Sequence, residues 1–275
     1  MMKLIPGPLA MVRARNRLLG RLAPGAAVRA AADDFLRPRR LPVPERERLG
    51  PPGERFGFDG LSAVRFGRGR PVLAIHGWEG RATQFAAWAE PLGAAGLSLI
   101  GLDGPAHGES EGDEANPLAF AEAMLRADAA HGPFAGVVGH SMGGSAVVIA
   151  MARGLRAERC VLVAAPASLE GVFQRYLAAV GVPLSLAPRF AAEVGRRAGA
   201  PADQVRIERL AATLRAPALV VHCRDDREVP FAEGESMAAC WPGATLLARR
   251  GVGHRRILRD ARTIAAVVRF LAPSA

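Results

Sequence analysis

The sequence predicts an α/β fold, in which helices flank a mainly parallel β-sheet and a short helical lid is inserted. Apolar segments of strand length alternate with segments of helical length along most of the chain. Several strand segments are continuously apolar, which is typical of strands buried on both faces of a sheet. The chain has 275 residues and is 50% hydrophobic, so it can bury the core of one large domain.

The order of the predicted elements supports this fold. Asp59 and Gly60 separate two short strand-like segments, 54–58 and 61–66, and this pair of residues predicts a hairpin. Further strands are predicted at 71–75, 97–102, 134–138, 159–163, 218–221 and 245–247. Helices are predicted at 82–95, 117–130, 142–154, 231–240 and 260–272.

Two segments lie outside this alternation. Residues 1–53 predict a basic helical N-terminal arm and a proline-containing linker. Residues 167–212 carry no strand signal and predict a helical lid, because an insertion leaving the carboxyl end of a strand can cover a ligand site there. The core is then expected at 54–166 and 213–275.

Composition limits the classes of partner. The net charge is +10, but the arginines are spread along the chain and aromatics make up only 5%, so no nucleic-acid partner is expected. No apolar run is long enough to span a membrane, although the basic arm allows a weak contact with a membrane surface. Three widely spaced cysteines and the lack of a signal-peptide pattern predict a cytoplasmic protein. The cysteines and histidines lack metal-ligand spacing, and no cofactor is expected.

The strongest local motif is Gly139-His140-Ser141-Met142-Gly143, between a predicted strand and a predicted helix. In this strand–turn–helix context the serine is exposed above the sheet as a nucleophile, and the small glycines allow the strand and the helix to approach closely. An earlier strand runs into His76-Gly77-Trp78. We expect an oxyanion hole from the backbone N–H groups of Trp78 and Met142, whose side chains are then free to shape a pocket.

Two late motifs supply the partners that a nucleophilic serine needs. A buried strand ends in a polar turn with two adjacent carboxylates, Asp225 and Asp226, either of which could orient a histidine. His254 lies in a glycine-rich loop after the last predicted strand and is the expected base. His76 and His140 are interpreted as hydrogen-bonded scaffolding.

Together these motifs resemble the α/β-hydrolase superfamily over residues 54–275. The resemblance includes the loop Asp103-x-Pro105-x-His107-Gly108-x-Ser110 and the spacing Asp226-x-x-Val229-Pro230, which selects Asp226 as the acid. It implies an α/β-hydrolase fold and a Ser141–His254–Asp226 triad. The N-terminal arm departs from the minimal family pattern.

The resemblance implies a serine esterase that cleaves small-molecule carboxylic esters with small to medium acyl chains. Trp78 and the lid side chains Phe173, Tyr176 and Leu177 are expected to bind substrate. The alternatives are an acyltransferase, thioesterase or lactonase on the same triad, or a non-catalytic ligand-binding member of the fold. A membrane-surface protein tethered by residues 1–40 is a further alternative.

Overall fold

The structure, a computed structural model, describes residues 6–48, 51–201 and 205–272. The chain divides into two compact units. One comprises Met1–Pro38 and Ser168–Arg206, and the other comprises Arg39–Ala167 and Ile207–Ala275.

The described residues of the second unit form one eight-stranded sheet with the strand order β1-β2-β4-β3-β5-β6-β7-β8. The strands are β1 (Glu54–Phe58), β2 (Leu61–Phe66), β3 (Arg70–Ile75), β4 (Leu97–Leu102), β5 (Gly136–His140), β6 (Cys160–Val163), β7 (Ala218–Cys223) and β8 (Ala244–Arg249).

The helices follow in chain order. They are α1 (Pro6–Leu22), α2 (Pro24–Leu36), α3 (Glu45–Arg48), α4 (Ala89–Ala94), α5 (Pro117–His131), α6 (Met142–Ala152), α7 (Leu169–Val180), α8 (Ala187–Ala198), α9 (Ile207–Ala211), α10 (Phe231–Cys240), α11 (Gly253–Arg256) and α12 (Ala261–Leu271). Short 3-10 helices occupy Ala82–Trp88, Leu184–Leu186 and Ile257–Arg259.

The sheet is mainly parallel, with an antiparallel hairpin at one edge. Strands β1 and β2 pair around Asp59 and Gly60, whose positive φ angles of 47° and 73° suit a two-residue hairpin turn. Strand β2 also runs antiparallel to β4, and the pairs from β4 through β3 to β8 are parallel. The carboxyl ends of β3, β5, β7 and β8 therefore lie at the same edge of the sheet.

Burial explains why these strands are almost continuously apolar. Every residue of β4, β5, β6 and β7 is buried, as expected for strands covered by helices on both faces. Strand β8 lies at the edge, and all of its residues are exposed or half-buried. The predicted α/β fold class is confirmed.

The clearest differences between the predicted elements and the structure concern one strand and one helix. The strand predicted at 134–138 is β5, which continues to His140 because Gly139 and His140 pair with Leu162 and Val163 of β6. The helix predicted at 82–95 is a 3-10 helix followed by the short helix α4.

The helical unit contains α1, α2, α7 and α8. Its core is an aromatic cluster in which the rings of Phe35, Phe173, Tyr176 and Phe190 lie with centroids 4.8–5.7 Å apart. The arm and the insertion, predicted as separate parts, thus share one core, while the linker from Arg39 belongs to the α/β unit. The sequence did not predict this shared core, because contacts between side chains far apart in the sequence produce no local pattern.

Candidate active site

Ser141 lies at the sharp turn between β5 and α6. Its backbone has φ 54° and ψ −125°, an uncommon conformation for a residue with a side chain. The turn is held by a 2.9 Å hydrogen bond from the Ser141 N–H to the carbonyl of Val163. A Cβ on Gly139 would lie 2.5 Å from the Gly143 carbonyl oxygen, so the strand and helix meet this closely only because position 139 lacks a side chain.

His254 lies in α11, just after β8, and its ring reaches the serine. The Ser141 hydroxyl and His254 Nε2 are 2.9 Å apart. His140 Nε2 donates to the backbone carbonyl of His254 at 2.9 Å, which fixes the position of the histidine backbone. Burial, followed by the proximity of His254, lowers the pKa of His140 to about 3, so His140 stays neutral and holds this bond.

Asp226 orients the ring of His254. Its Oδ2 accepts from His254 Nδ1 at 2.7 Å, and its Oδ1 accepts from the backbone N–H groups of Glu228 and Val229 at 2.8 and 3.0 Å. Burial alone would raise the pKa of Asp226, but the His254 bond and these backbone bonds hold it below the ordinary value. Because Nδ1 carries the proton, Nε2 is the nitrogen that can accept the proton of Ser141.

The other carboxylate, Asp225, has a different position. It is exposed, and its Oδ1 accepts from the Gly251 N–H at 2.7 Å and from the Cys223 thiol at 3.0 Å. Cys223 in turn accepts from the N–H of Gly253 at 3.2 Å. Asp225 and Cys223 therefore brace the loop that carries His254.

His222 was given no role from the sequence, yet it lies beside Asp226. Its Nε2 is 3.6 Å from Asp226 Oδ2 and donates to the Val229 carbonyl at 3.1 Å. Burial lowers the pKa of His222, so a neutral ring packs against the carboxylate. A histidine inside a strand carries no sequence signal of such a contact.

The turn after β3 packs directly on the serine turn. A Cβ on Gly77 would lie 2.7 Å from Ser141 Cβ, and one on Gly143 would collide with the carbonyl oxygen of His76. This contact brings Gly77, the residue before Trp78, against Ser141, the residue before α6. Within the described residues, the N–H of Met142 has no hydrogen-bond acceptor, as expected for the first residue of a helix.

Two buried histidines hold the turn after β3. His76 Nδ1 donates to the Gly77 carbonyl at 2.7 Å, and its Nε2 accepts from the Gly104 N–H at 3.0 Å. His107 Nε2 accepts from the Glu79 N–H at 3.0 Å. Burial lowers the pKa of His76 to about 4, and burial together with His76 lowers that of His107 to about 3. Both rings thus remain neutral acceptors.

The loop after β4 is tied to the same region. Asp103 accepts from the N–H groups of Ala82 and Glu109 at 2.7 and 3.1 Å. Ser110 Oγ donates to the Asp103 carbonyl at 2.6 Å and accepts from the Ser62 N–H at 2.8 Å. These bonds make the loop a structural support for the turn that contains Trp78.

An arginine of the linker also binds the turn after β3, a contact that the sequence did not predict. Arg39 donates through Nε and Nη2 to the two carboxylate oxygens of Glu79, at 2.7 and 2.9 Å. The Glu79 carboxylate is 11% exposed and the residue has φ 55°, so this pair holds a strained residue next to Trp78. Burial opposes ionisation of Glu79, but Arg39 lowers its pKa.

The predicted substrate-binding residues lie in different environments in the structure. Trp78 is half-buried, with its ring edge-on to His107 at 5.5 Å. Phe173 and Leu177 are 5% and 0% exposed in the core of the helical unit. Within that unit, the hydroxyl group of Tyr176 lies within hydrogen-bonding distance of Ala31 and Asp34. Packing within the helical unit is sufficient to explain these three side chains of the predicted lid. Their contact with substrate stays a prediction.

Among the described residues, no set of three His, Cys, Asp or Glu side chains is arranged to hold a metal ion. No helix in the described ranges is long and apolar enough to cross a membrane.

Comparisons with known proteins agree with the fold. Residues 72–267 match the model of a family described as the alpha/beta hydrolase family. No curated protein matches the sequence.

Solved structures share the fold at low sequence identity. An esterase from Exiguobacterium antarcticum is 18% identical, with 78% of this chain and 97% of that chain covered at a TM-score of 0.61. A bromoperoxidase from Bacillus anthracis is 19% identical, with coverage of 77% and 95% and a TM-score of 0.59. A meta-cleavage product hydrolase from Pseudomonas fluorescens is 20% identical, with coverage of 79% and 97% and a TM-score of 0.57.

Proposed function

Because the chain belongs to the alpha/beta hydrolase family, we propose that it hydrolyses carboxylic esters through an acyl-enzyme on Ser141. The observation that carries the proposal is the continuous relay from Ser141 through His254 to Asp226, with distances of 2.9 and 2.7 Å. Such a relay turns a weak hydroxyl nucleophile into one that attacks an acyl carbonyl at neutral pH.

Acylation uses the relay in one direction. His254 Nε2 takes the proton as Ser141 Oγ bonds to the carbonyl carbon, and Asp226 stabilises the resulting imidazolium. The negative charge on the carbonyl oxygen lies between the N–H groups of Trp78 and Met142, and each such donor is worth about 3 kcal/mol in the transition state. The C–O bond then breaks, and the alkoxide leaves with the proton from His254.

Deacylation runs through the same atoms. His254 takes a proton from water, the hydroxide attacks the acyl carbon, and Ser141 leaves with the proton that returns from His254. The products are a carboxylic acid and an alcohol. A neutral His254 is needed at the start of both halves, so the Nδ1 bond to Asp226 serves each step.

The proposed substrate is a small-molecule ester with a small to medium acyl chain. The nucleophile supports ester chemistry, since Ser141 stands at the strand–helix turn and forms an ordinary acyl intermediate. Thioesters and lactones would present the same acyl carbon to the same relay, and they serve below as comparison substrates.

The test is hydrolysis of a chain-length series of p-nitrophenyl esters by the wild type and by Ser141→Ala. Ser185→Ala, at an exposed serine, is the matched control. We expect Ser141→Ala to lose at least about 10⁴-fold in kcat, because the residual rate comes only from binding and the oxyanion hole, while Ser185→Ala keeps the wild-type rate.

A fluorophosphonate probe separates an enzyme from a binding protein on the same fold. We expect it to label the wild type and Ser185→Ala but not Ser141→Ala. Ester turnover that survives in Ser141→Ala, or a wild type that neither turns over nor becomes labelled, would overturn the proposal. A thioester or lactone of matched acyl length that reacts faster than every ester would reassign the substrate class.

A further inference from the structure

Helix α1 is fixed to its own unit by one face. Arg13 Nε donates to the carbonyl of Ala179 at 2.9 Å, and Asn16 Nδ2 donates to that of Val180 at 2.8 Å. Both carbonyls belong to the last turn of α7, where unpaired acceptors are normally present. Gly20 continues this face, since a Cβ there would lie 2.6 Å from Pro183 Cδ.

The opposite face of α1 presents apolar side chains to solvent. Met11, Leu18 and Leu22 are 75%, 57% and 76% exposed, and they are the three most exposed large apolar side chains of the described residues. Their spacing of seven and four residues places them on one stripe of an α-helix. Single exposed leucines are ordinary, but three along one stripe form a patch.

Arginines border this stripe. Arg15 lies at one edge and Arg21 at the other, and Arg17 lies further round the helix on the side of Arg21, as follows from 3.6 residues per turn. All three are exposed, and α1 contains no carboxylate. A helix with an apolar centre and cationic edges suits the boundary of a bilayer, where apolar side chains enter the acyl region and arginines meet the headgroups.

We propose that the outer face of α1 binds the surface of an anionic lipid bilayer. We call this face the α1 stripe, comprising Met11, Leu18 and Leu22 with their flanking Arg15 and Arg21. Binding is interfacial rather than spanning, since α1 has only 17 residues with arginine at every second position from Arg13 to Arg17.

Two other occupants fit less well. A second copy would place the same arginines opposite one another across a two-fold axis, and three exposed apolar side chains are far fewer than the roughly 20–30 residues per partner of a stable interface. A nucleic acid would use the arginines but leave the apolar centre of the stripe in water. An anionic lipid surface can bind both the apolar side chains and the arginines.

Flotation of the full chain with vesicles tests the proposal. The vesicles are phosphatidylcholine alone and phosphatidylcholine mixed with phosphatidylglycerol. We expect binding to the mixed vesicles only, weakened by added salt because headgroup attraction is screened.

Paired variants then separate the apolar and the cationic contributions. Leu18→Ser with Leu22→Ser, and Arg15→Gln with Arg21→Gln, should each weaken partitioning into mixed vesicles about tenfold. The matched controls change exposed residues of the other unit, and they should bind as the wild type does. These controls are Leu41→Ser with Leu246→Ser, and Arg68→Gln with Arg153→Gln.

All variants are at exposed positions, and circular dichroism confirms their folding before binding is measured. Wild-type binding by both α1 double variants, or equal binding to the two kinds of vesicle, would overturn the proposal. The proposal would also be overturned if sedimentation velocity showed a wild-type dimer and the double variant Leu18→Ser with Leu22→Ser were monomeric. A second copy of the chain would then occupy the stripe. Ester turnover in solution is independent of all these outcomes.

Discussion

Ser141 illustrates how much a single residue depends on its surroundings. Its φ of 54° costs about 1–3 kcal/mol for a residue with a side chain, and it persists because neighbouring structure fixes it. The bond from its N–H to Val163 and the start of α6 on its carboxyl side provide that constraint. The strain directs Oγ toward His254 instead of into the helix.

At the residue scale, the two adjacent aspartates should behave very differently. Asp226→Asn places an amide against His254 Nδ1, so the ring carries its proton on Nε2 and cannot accept one from Ser141. We expect kcat for p-nitrophenyl ester hydrolysis to fall by about 10³- to 10⁴-fold, the effect known for a triad acid.

Asp225→Asn is the control for that experiment. The Asn Oδ1 can still accept from Gly251 and Cys223, so kcat should change less than about threefold, within the range of a surface substitution. A larger loss in Asp225→Asn than in Asp226→Asn would reverse the assignment of the acid.

At the scale of elements, the site depends on two turns in direct backbone contact. The turn after β3 and the start of α6 approach so closely that Gly143 has no room for a methyl group beside the His76 carbonyl. This contact sets the turn that carries Trp78 against the turn that carries Met142. The proposed oxyanion hole therefore depends on the packing of two elements rather than on either motif.

Gly143→Ala should separate these turns. We expect the free energy of unfolding to fall by about 1–3 kcal/mol, as in overpacked cores, with a loss of ester turnover. Gly93→Ala in α4 is the control, because a Cβ there meets nothing within 4 Å, and it should stabilise the protein by about 0.5–1 kcal/mol. Urea unfolding measures both, and equal midpoints for the two variants would contradict this account of the turn.

The Arg39–Glu79 pair holds the turn whose Trp78 N–H is a proposed oxyanion donor. In Arg39→Gln the Glu79 carboxylate loses its bidentate partner, and the turn at Trp78 loosens. We expect kcat to fall about tenfold with little change in KM, because small misplacement of a transition-state donor affects the chemical step. Arg39→Lys should recover part of the rate. Arg68→Gln, an exposed arginine with the same charge change, should keep the wild-type kcat.

At the scale of the whole molecule, buried neutral histidines make stability depend on pH. The pKa values of His76, His107 and His140 are lowered from 6.5 to about 4, about 3 and about 3. Between these values and 6.5 the unfolded chain binds protons that the folded protein does not. Stability is therefore complete above about pH 6.5 and falls with decreasing pH, by about 1.4 kcal/mol per pH unit for each group.

Urea unfolding between about pH 7 and pH 5 measures this slope. His107→Gln removes one titrating group but keeps an acceptor for the Glu79 N–H, so its slope should be shallower by about 1.4 kcal/mol per pH unit. The lowered pKa of Asp226 acts with the same sign but at lower pH, because the stability from this carboxylate is lost only as pH falls through its ordinary pKa of 3.8 and below. A slope in His107→Gln equal to that of the wild type would show that His107 is protonated in the folded protein.

The sequence by itself determined the fold class and the positions of the triad candidates. Continuous apolar strands alternating with helices specify a buried parallel sheet, because only that architecture covers both faces of each strand. Parallel strands end at one edge, so Ser141, Asp226 and His254, each placed after a strand, could be expected to meet there. The hairpin at Asp59 and Gly60 was equally predictable, because its signal is local.

Only the tertiary structure decided which residues support these groups. Asp226 was chosen over Asp225 on a family resemblance, and the 2.7 Å contact with His254 supplies the physical reason for that choice. The support from Arg39 rests on a contact 40 residues along the chain. Likewise, Phe173 packs on Phe35, which joins the arm and the insertion into one helical unit. Local periodicity indicates which side chains of a helix or strand are buried. It does not indicate which residues they contact, because those contacts depend on packing between segments that are distant in sequence.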